Sequence, residues 1–182
     1  YPYNFFGLNK SDLCLMVDDG TDGLFYAEKR SCKNIFFQPH GVAIEDYNQY
    51  TEGKVLQDVL DEYGIHEARK DKIIFFNNAS GSVWKRTDRI ARAIKYIPYD
   101  IRQKIIILTT YFAPDLEDLK QFVQINEVDN VLYFLNNINH LQSNALIRDC
   151  DVTISVNDLS NLGNPVLESI YYGTPIISLD DG

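Results

Sequence analysis

Short apolar runs alternate with amphipathic segments from residue 72 onward, and this alternation constrains the fold more than any other feature of the sequence. The apolar runs are rich in β-branched residues, which is typical of strands buried on both faces. They lie at residues 13–17, 35–38, 72–76, 104–109, 131–135, 152–156 and 175–179. Strands that alternate with helices form a parallel sheet through right-handed crossovers. The sequence therefore predicts an α/β fold in which helices cover both faces of a parallel sheet.

The segments predicted to be helices repeat apolar residues at the spacing of one helix face. They span residues 55–63, 90–97, 116–123, 141–148 and 165–172. A more polar stretch, bounded by Gly41 and Gly53, separates the first two strands from the later alternation and is the predicted linker. We therefore place a domain boundary there, with residues 1–43 on one side and residues 44–182 on the other.

Charge and composition exclude several classes of partner. The chain has 17 Lys and Arg against 26 Asp and Glu, a net charge of −9 that opposes binding to nucleic acid. No apolar run approaches the roughly 20 residues that cross a bilayer, and no signal peptide is recognised, so a soluble cytoplasmic protein is expected. The cysteines are odd in number and widely spaced, which predicts neither a disulfide framework nor a zinc site. They are Cys14, Cys32 and Cys150.

The first candidate site is the loop at residues 157–165, which follows a predicted strand and leads into a predicted helix at Pro165. In an open parallel sheet, ligands bind beyond the carboxyl ends of the strands. A helix start with Gly163 nearby offers backbone N–H groups to a phosphate, although the local pattern favours an ordinary capped turn. One turn into the helix, the carboxylate of Glu168 has two interpretations: it accepts two sugar hydroxyls, or it lies on a solvated face.

The second candidate site is the polar loop at residues 77–86, which also leads from a strand into a helix. It ends in Lys85 and Arg86, two cations in a place where the helix dipole disfavours positive charge. An anionic ligand would explain them. Two exposed basic residues, at a cost of a few tenths of a kcal/mol, explain them equally well.

Three patterns that suggest other chemistry are rejected. Residues 13–21 are similar to the loop of aspartate-nucleophile phosphatases, but the nucleophile position holds Val17. Asp149 and Asp151 have the spacing of a metal-binding Asp-x-Asp site, yet they precede a strand, so we assign them to a helix end. The histidines are single and scattered, which makes a metal site an unfavoured interpretation. They are His40, His66 and His140.

The order of residues from 150 to 177 is the most specific pattern in the chain. Ser160, Gly163 and Glu168 precede the run Tyr172-Gly173-Thr174-Pro175-Ile176-Ile177. This order resembles the signature of glycosyltransferase family 4, retaining transferases with two Rossmann-like domains, in which the first and third positions are both Glu. Residues 40–42 resemble the Asn-Gly-Val that links the two domains, and Lys85 falls where the family has a Lys that binds the donor diphosphate.

The resemblance implies a Rossmann-like domain that forms one half of the GT-B architecture. It implies the donor-binding half of a retaining, metal-independent hexosyltransferase, which moves a sugar from a nucleoside-diphosphate sugar to an acceptor. Glu168 would then hold the ribose, Lys85 the diphosphate, and the loop from Leu135 to His140 the base. The implied catalytic residues are Lys85, Ser160 and Glu168. The implied donor-binding residues are Asn78, Leu135, Asn136, Asn137, Asn161, Leu162, Gly163 and Asn164. No cofactor and no metal are expected.

The resemblance also implies what lies outside this domain. Residues 1–43 would be the last unit of an amino-terminal, acceptor-binding domain that acts in cis, and residues 44–182 a donor domain truncated at its carboxyl end. Peripheral membrane association through the missing half stays an open alternative. The fragment alone is expected to be inactive. Ser160 and Asn78 stand where the family has Glu and Arg, so a catalytically impaired nucleotide-sugar-binding or regulatory domain is the alternative. An NAD enzyme or an α/β hydrolase is disfavoured because neither Gly-x-Gly-x-x-Gly nor Gly-x-Ser-x-Gly follows any predicted strand.

Overall fold

The computed structural model describes residues 14–16, 34–37, 41, 49–65, 71–79, 85–110, 116–125, 128, 130–157 and 164–179. The chain forms two compact units, the first comprising Tyr1–Val42 with Asn161–Asn164 and the second Ala43–Ser160 with Pro165–Gly182. In the first unit, β1 (Cys14–Met16) and β2 (Ile35–Phe37) pair in parallel. The identity of the two parts as domains stays a prediction.

The second unit holds a five-stranded parallel sheet in the order β5-β4-β3-β6-β7. Its strands are β3 (Ile73–Asn78), β4 (Ile105–Thr110), β5 (Leu132–Leu135), β6 (Val152–Ser155) and β7 (Ile176–Ser178). The helices are α1 (Lys54–Glu62), α2 (Thr87–Ile94), α3 (Tyr99–Arg102), α4 (Leu116–Ile125), α5 (His140–Asp149) and α6 (Asn164–Tyr172). The winding direction reverses between β3 and β6, and such a switch point opens a crevice at the carboxyl ends of the strands.

Apolar residues on both faces of the sheet form two separate clusters. On one face, Ile106 and Leu108 of β4 pack with residues of α1 and α5 around the fully buried Leu60. On the other face, Ile105 and Ile107 of the same strand pack with residues of α2 and α4. Successive residues of a strand point to opposite faces, so a strand covered on both sides reads as a continuous apolar run. The predicted fold class is confirmed.

The seven predicted strands and the five predicted helices are present, and the structure adds the short helix α3. This helix has no buried residue, so it shows no apolar repeat in the sequence. It begins after Pro98, whose fixed φ suits a helix start. In the described part of the chain, no helix has both the length and the apolar character needed to cross a membrane.

The acidic pair around Cys150 serves the fold, as its assignment to a helix end predicts. Asp149 ends α5, lies 2.7 Å from the guanidinium of Arg148 and accepts the N–H of Gly53 at 2.9 Å. The carboxylate of Asp151 accepts the N–H of Ile74, in β3, at 2.7 Å. Both carboxylates therefore hold backbone groups. Between them, burial raises the pKa of the Cys150 thiol to about 11, so the thiol stays protonated at neutral pH.

Candidate functional site

A pocket of about 280 Å³ opens at the carboxyl ends of β3 and β4 and at the start of α5. Its wall is tied together where the Thr110 hydroxyl donates to the side-chain oxygen of Asn78 at 3.2 Å and lies 3.3 Å from the carbonyl of Ala79. The described residues that line the pocket are Asn78, Ala79, Thr110, Ile138, Asn139, His140 and Ser143. Loops gather at this edge in a parallel sheet, so this is the place where the fold predicts a ligand.

The start of α5 is fixed by a capping box, and this positions one wall of the pocket. The Asn139 side chain accepts the N–H of Gln142 at 2.9 Å, and the Gln142 side chain accepts the N–H of Asn139 at 3.0 Å. Such reciprocal bonds satisfy two backbone donors that a helix end leaves open. His140 and Ser143 follow in the first turn. The Ser143 hydroxyl is buried and has no hydrogen-bond partner within the described residues.

The loop predicted to meet the base is divided by the structure. Its later residues, 138–140, line the pocket. Leu135 is only 1% exposed and belongs to the core, so its side chain does not reach a ligand, and only its backbone remains available for the predicted role. Asn136 and Asn137 are exposed outside the pocket lining. Asn137 has a left-handed backbone with φ of 56°, which Asn adopts more readily than most residues.

Asn77 joins the strands at the switch point, and sequence analysis missed it in favour of its neighbour Asn78. Its amide nitrogen donates to the carbonyl of Ile154, in β6, at 2.8 Å, while its oxygen accepts the hydroxyl of Thr109, in β4, at 3.0 Å. The hydroxyl of Thr87, in α2, lies 3.5 Å from the same oxygen. A polar residue at the end of an apolar strand run was the only signal in the sequence.

We expect Asn77→Leu to lower the free energy of unfolding by about 1–3 kcal/mol, because it leaves buried polar groups of two neighbouring strands without partners. Asn78→Leu is the matched control, since Asn78 is only half-buried and its oxygen accepts one bond at the pocket wall. Urea unfolding monitored by circular dichroism measures both. Equal losses in the two variants would contradict the assignment of Asn77 to the sheet junction.

Of the two cations at the start of α2, Arg86 is accounted for by the helix itself. Its Nε lies 3.0 Å from one carboxylate oxygen of Asp88 and its Nη2 3.3 Å from the other. This hydrogen-bonded pairing holds the pKa of the Asp88 carboxyl below its usual range. Asp88 lies in the first turn, where the helix dipole favours negative charge. Arg86 therefore needs no ligand to explain it.

Lys85 differs from Arg86 because no described carboxylate pairs with it. Its side chain is half-buried, and within the described part of the chain no carboxylate lies at ion-pair distance from its ammonium group. Burial alone lowers the pKa of Lys85. An exposed lysine would show neither the burial nor the lowered pKa, so the interpretation of Lys85 as an exposed cation is wrong. A partly dehydrated cation at the carboxyl edge of β3 is suited to an anionic ligand.

Glu168 lies on α6 and is only 1% exposed, so its interpretation as a residue of a solvated face is wrong. Its carboxylate meets the fully buried side chain of Asn144, on α5. A carboxylate only accepts hydrogen bonds, so the Asn144 amide presents its nitrogen, which lies 3.1 Å from Oε1 and 3.2 Å from Oε2. Sequence analysis missed Asn144, whose only signal was a polar residue on the buried face of a helix.

Of the predicted site residues in the loop before α6, the structure describes Asn164. Asn164 is the first residue of the helix and is exposed, and Pro165 follows in the first turn, as predicted. Among the described residues, no three His, Cys, Asp or Glu side chains form a group that could hold a metal ion. The other predicted residues, Ser160, Asn161, Leu162 and Gly163, lie outside the described residues.

Comparisons with known proteins relate the chain to glycosyltransferases. No family model matches it. The chain is 25% identical over 124 residues to the uncharacterized glycosyltransferase MJ1069 of Methanocaldococcus jannaschii, an alignment that covers 68% of this chain and 31% of that protein. It therefore spans about a third of this curated relative.

Solved structures share the fold at low sequence identity. HepE of Anabaena, in complex with UDP and glucose, superposes with a TM-score of 0.73 at 14% identity, over 97% of this chain and 46% of HepE. The carboxyl-terminal domain of the group 1 glycosyl transferase LpcC of Francisella tularensis gives a TM-score of 0.54 at 18% identity, over 76% of this chain and 70% of that one. The chain thus combines the fold of GT-B glycosyltransferases with sequence similarity to a glycosyltransferase.

Proposed function

We propose that the chain is the donor-binding half of a retaining glycosyltransferase of family 4, which transfers a sugar from a nucleoside-diphosphate sugar to an acceptor. The observation that carries this proposal is Lys85, a half-buried cation that has no counter-ion among the described residues. It lies in the segment that follows β3 at the strand switch point. The buried carboxylate of Glu168 is held on the helix that follows β6, the strand on the other side of the switch. The complexes of HepE with UDP and with UDP-glucose support a donor of this class.

Lys85 would act on the leaving group. When the glycosidic bond breaks, the departing nucleoside diphosphate gains negative charge, so a fixed cation stabilises the transition state more than the ground state. A partly dehydrated ammonium group is suited to this role, because its attraction to an anion is stronger where less water screens it. The backbone N–H groups expected near Gly163 and Asn164 would add to the same effect.

Glu168 would accept hydrogen bonds from the ribose, and the pocket would hold the base. The carboxylate is 1% exposed, so a ribose reaches it only when the residues that cover it shift. The pocket of about 280 Å³ is smaller than most small-molecule sites, which span roughly 300–1,000 Å³, so it suits one part of a donor rather than a whole nucleotide sugar. The buried hydroxyl of Ser143 offers that part a polar contact.

A nucleotide-sugar-binding domain without turnover is the second candidate. It is favoured by Asn78, which lines the pocket as a neutral side chain where family 4 has Arg, and by Ser160, which replaces the first Glu of the signature. Neither can supply a charge. Transfer of sugar by the full-length protein from any donor would exclude this alternative. The proposal also includes an acceptor-binding half in cis, a hexosyl donor and transfer that needs no metal. It further includes a cytoplasmic location and peripheral membrane association through the other half.

Calorimetric titration of the chain with UDP, GDP and ADP in the presence of a chelator tests the donor site. We expect at least one of the three to bind, because Lys85 supplies a cation without a bound metal. Binding that needs added Mg²⁺ would contradict independence of metal. Failure of all three at millimolar concentration would contradict the proposed function.

A further inference from the structure

Asn144 stands between the pocket and the buried carboxylate. Its amide nitrogen lies 3.1 and 3.2 Å from the two oxygens of Glu168, and both side chains are almost completely buried. The other end of the same amide lies 3.5 Å from Nε2 of His140, a residue of the pocket wall. With the nitrogen turned to the carboxylate, this end is the carbonyl oxygen, so the imidazole is the donor. One amide therefore contacts both groups.

This arrangement fixes the orientation of the carboxylate. An ionised carboxylate has about four lone-pair sites, and burial without donors destabilises it strongly. The amide nitrogen of Asn144 donates to both oxygens, which restrains the rotation of the carboxylate. His140 and Asn144 are four residues apart on α5, so they share one face of the helix.

We propose that Asn144 is a positioning residue that holds the carboxylate of Glu168 in the orientation in which it accepts ribose hydroxyls. The inference rests on the proposed function, because it assumes a ribose at Glu168. It assigns the α5–α6 contact a role in ligand binding as well as in packing. Asn144 itself does not touch the ligand, so it acts only through Glu168.

The test compares UDP with inorganic pyrophosphate, because only UDP carries a ribose. We expect Asn144→Leu to weaken UDP binding about tenfold, the loss typical of a mispositioned charged hydrogen bond, and to change pyrophosphate binding less than about twofold. In the Glu168→Gln background, adding Asn144→Leu should change the affinity for UDP less than about twofold relative to Glu168→Gln alone. A residue that acts through another has no effect once that partner is lost. Calorimetry measures all four proteins.

Thr174→Val is the matched control for packing. The Thr174 hydroxyl is buried and donates to the carbonyl of Ile147, also on α5, at 2.8 Å. We expect this variant to lower the melting temperature without changing the ratio of UDP to pyrophosphate affinity. A change in that ratio as large as the one caused by Asn144→Leu would overturn the positioning role.

A further variant covers the case in which Asn144→Leu does not fold. The double variant Asn144→Asp with Glu168→Gln exchanges amide and carboxylate, so it restores the contact between the helices. We expect it to recover the melting temperature lost in Asn144→Asp, while UDP binding stays at least about tenfold weaker than in the parent chain. Recovery of full UDP affinity would overturn the inference.

The outcomes also separate this inference from the proposed function. If the parent chain binds UDP and Glu168→Gln weakens UDP selectively, the donor site stands, and equal effects of Asn144→Leu in both backgrounds would overturn the positioning role alone. If the parent chain binds neither UDP, GDP nor ADP, the proposed function fails, and the positioning role fails with it.

Discussion

Glu168→Gln is expected to weaken binding of UDP by roughly ten- to a hundredfold, while the affinity for pyrophosphate stays within about twofold. The loss follows from the weaker hydrogen bonds that a neutral amide accepts from ribose hydroxyls. Pyrophosphate has no ribose, so it does not report on Glu168. Paired calorimetric titrations of the parent chain and the variant give the ratio directly.

Ser169→Ala is the control for Glu168→Gln, because Ser169 is the next residue of α6, is fully buried and donates its hydroxyl to the carbonyl of Pro165 at 2.6 Å. It should change stability and not the ratio of the two affinities. If Glu168→Gln weakens both ligands equally, or unfolds the chain, Glu168 acts in the fold and not on the ribose.

Lys85→Met is expected to weaken UDP and pyrophosphate by the same factor, roughly ten- to a hundredfold, since the ammonium group would contact only the diphosphate. The dependence of affinity on salt concentration should fall with it. The variant should also raise the melting temperature slightly, because a half-buried cation that has no partner carboxylate in the described part of the chain is replaced by an apolar side chain of similar length. Calorimetry at two salt concentrations and thermal unfolding measure these effects.

Lys95→Met removes the same charge at an exposed position at the end of α2, where the ammonium group lies 4.9 Å from the centre of the Tyr96 ring. We expect it to leave both affinities within about twofold, because exposed charges are well screened. A comparable loss in both lysine variants would show that net charge, and not a built site, attracts the anion.

The elements of the second unit were predictable because their periodicity survives in the sequence. β4 is buried along its whole length, and its first four residues, Ile105 to Leu108, form an uninterrupted apolar run. The amphipathic stripe of α1 carries the same kind of signal, since its buried residues are the apolar ones. The short helix α3 buries nothing, so its sequence holds no stripe. Elements that pack against the core therefore leave a periodic apolar pattern in the sequence, whereas an exposed element such as α3 leaves none.

The candidate site was predictable only in part, because hydrogen-bond partners depend on tertiary contacts. The resemblance singled out Lys85 and Glu168 by their places in motifs, but it gave no indication that the ammonium group of Lys85 is half-buried or that Glu168 is buried against another helix. Asn77 and Asn144 became visible only through partners far along the chain or on another element. A motif therefore indicates which residue binds a ligand, whereas burial and hydrogen-bond partners are known only from the structure.

The pairing of β3 with β6 has a consequence for biosynthesis. The backbone of Ile74 and the side chain of Asn77 each find their partner 77 residues later, in Asp151 and Ile154. During translation, β3 and β4 can pair as soon as they emerge, yet one edge of β3 stays open until β6 has been made. An open apolar strand edge is a site of aggregation, and long-range pairing of this kind folds slowly. The strand edge that stays open longest during synthesis is therefore the one beside the switch point of the sheet.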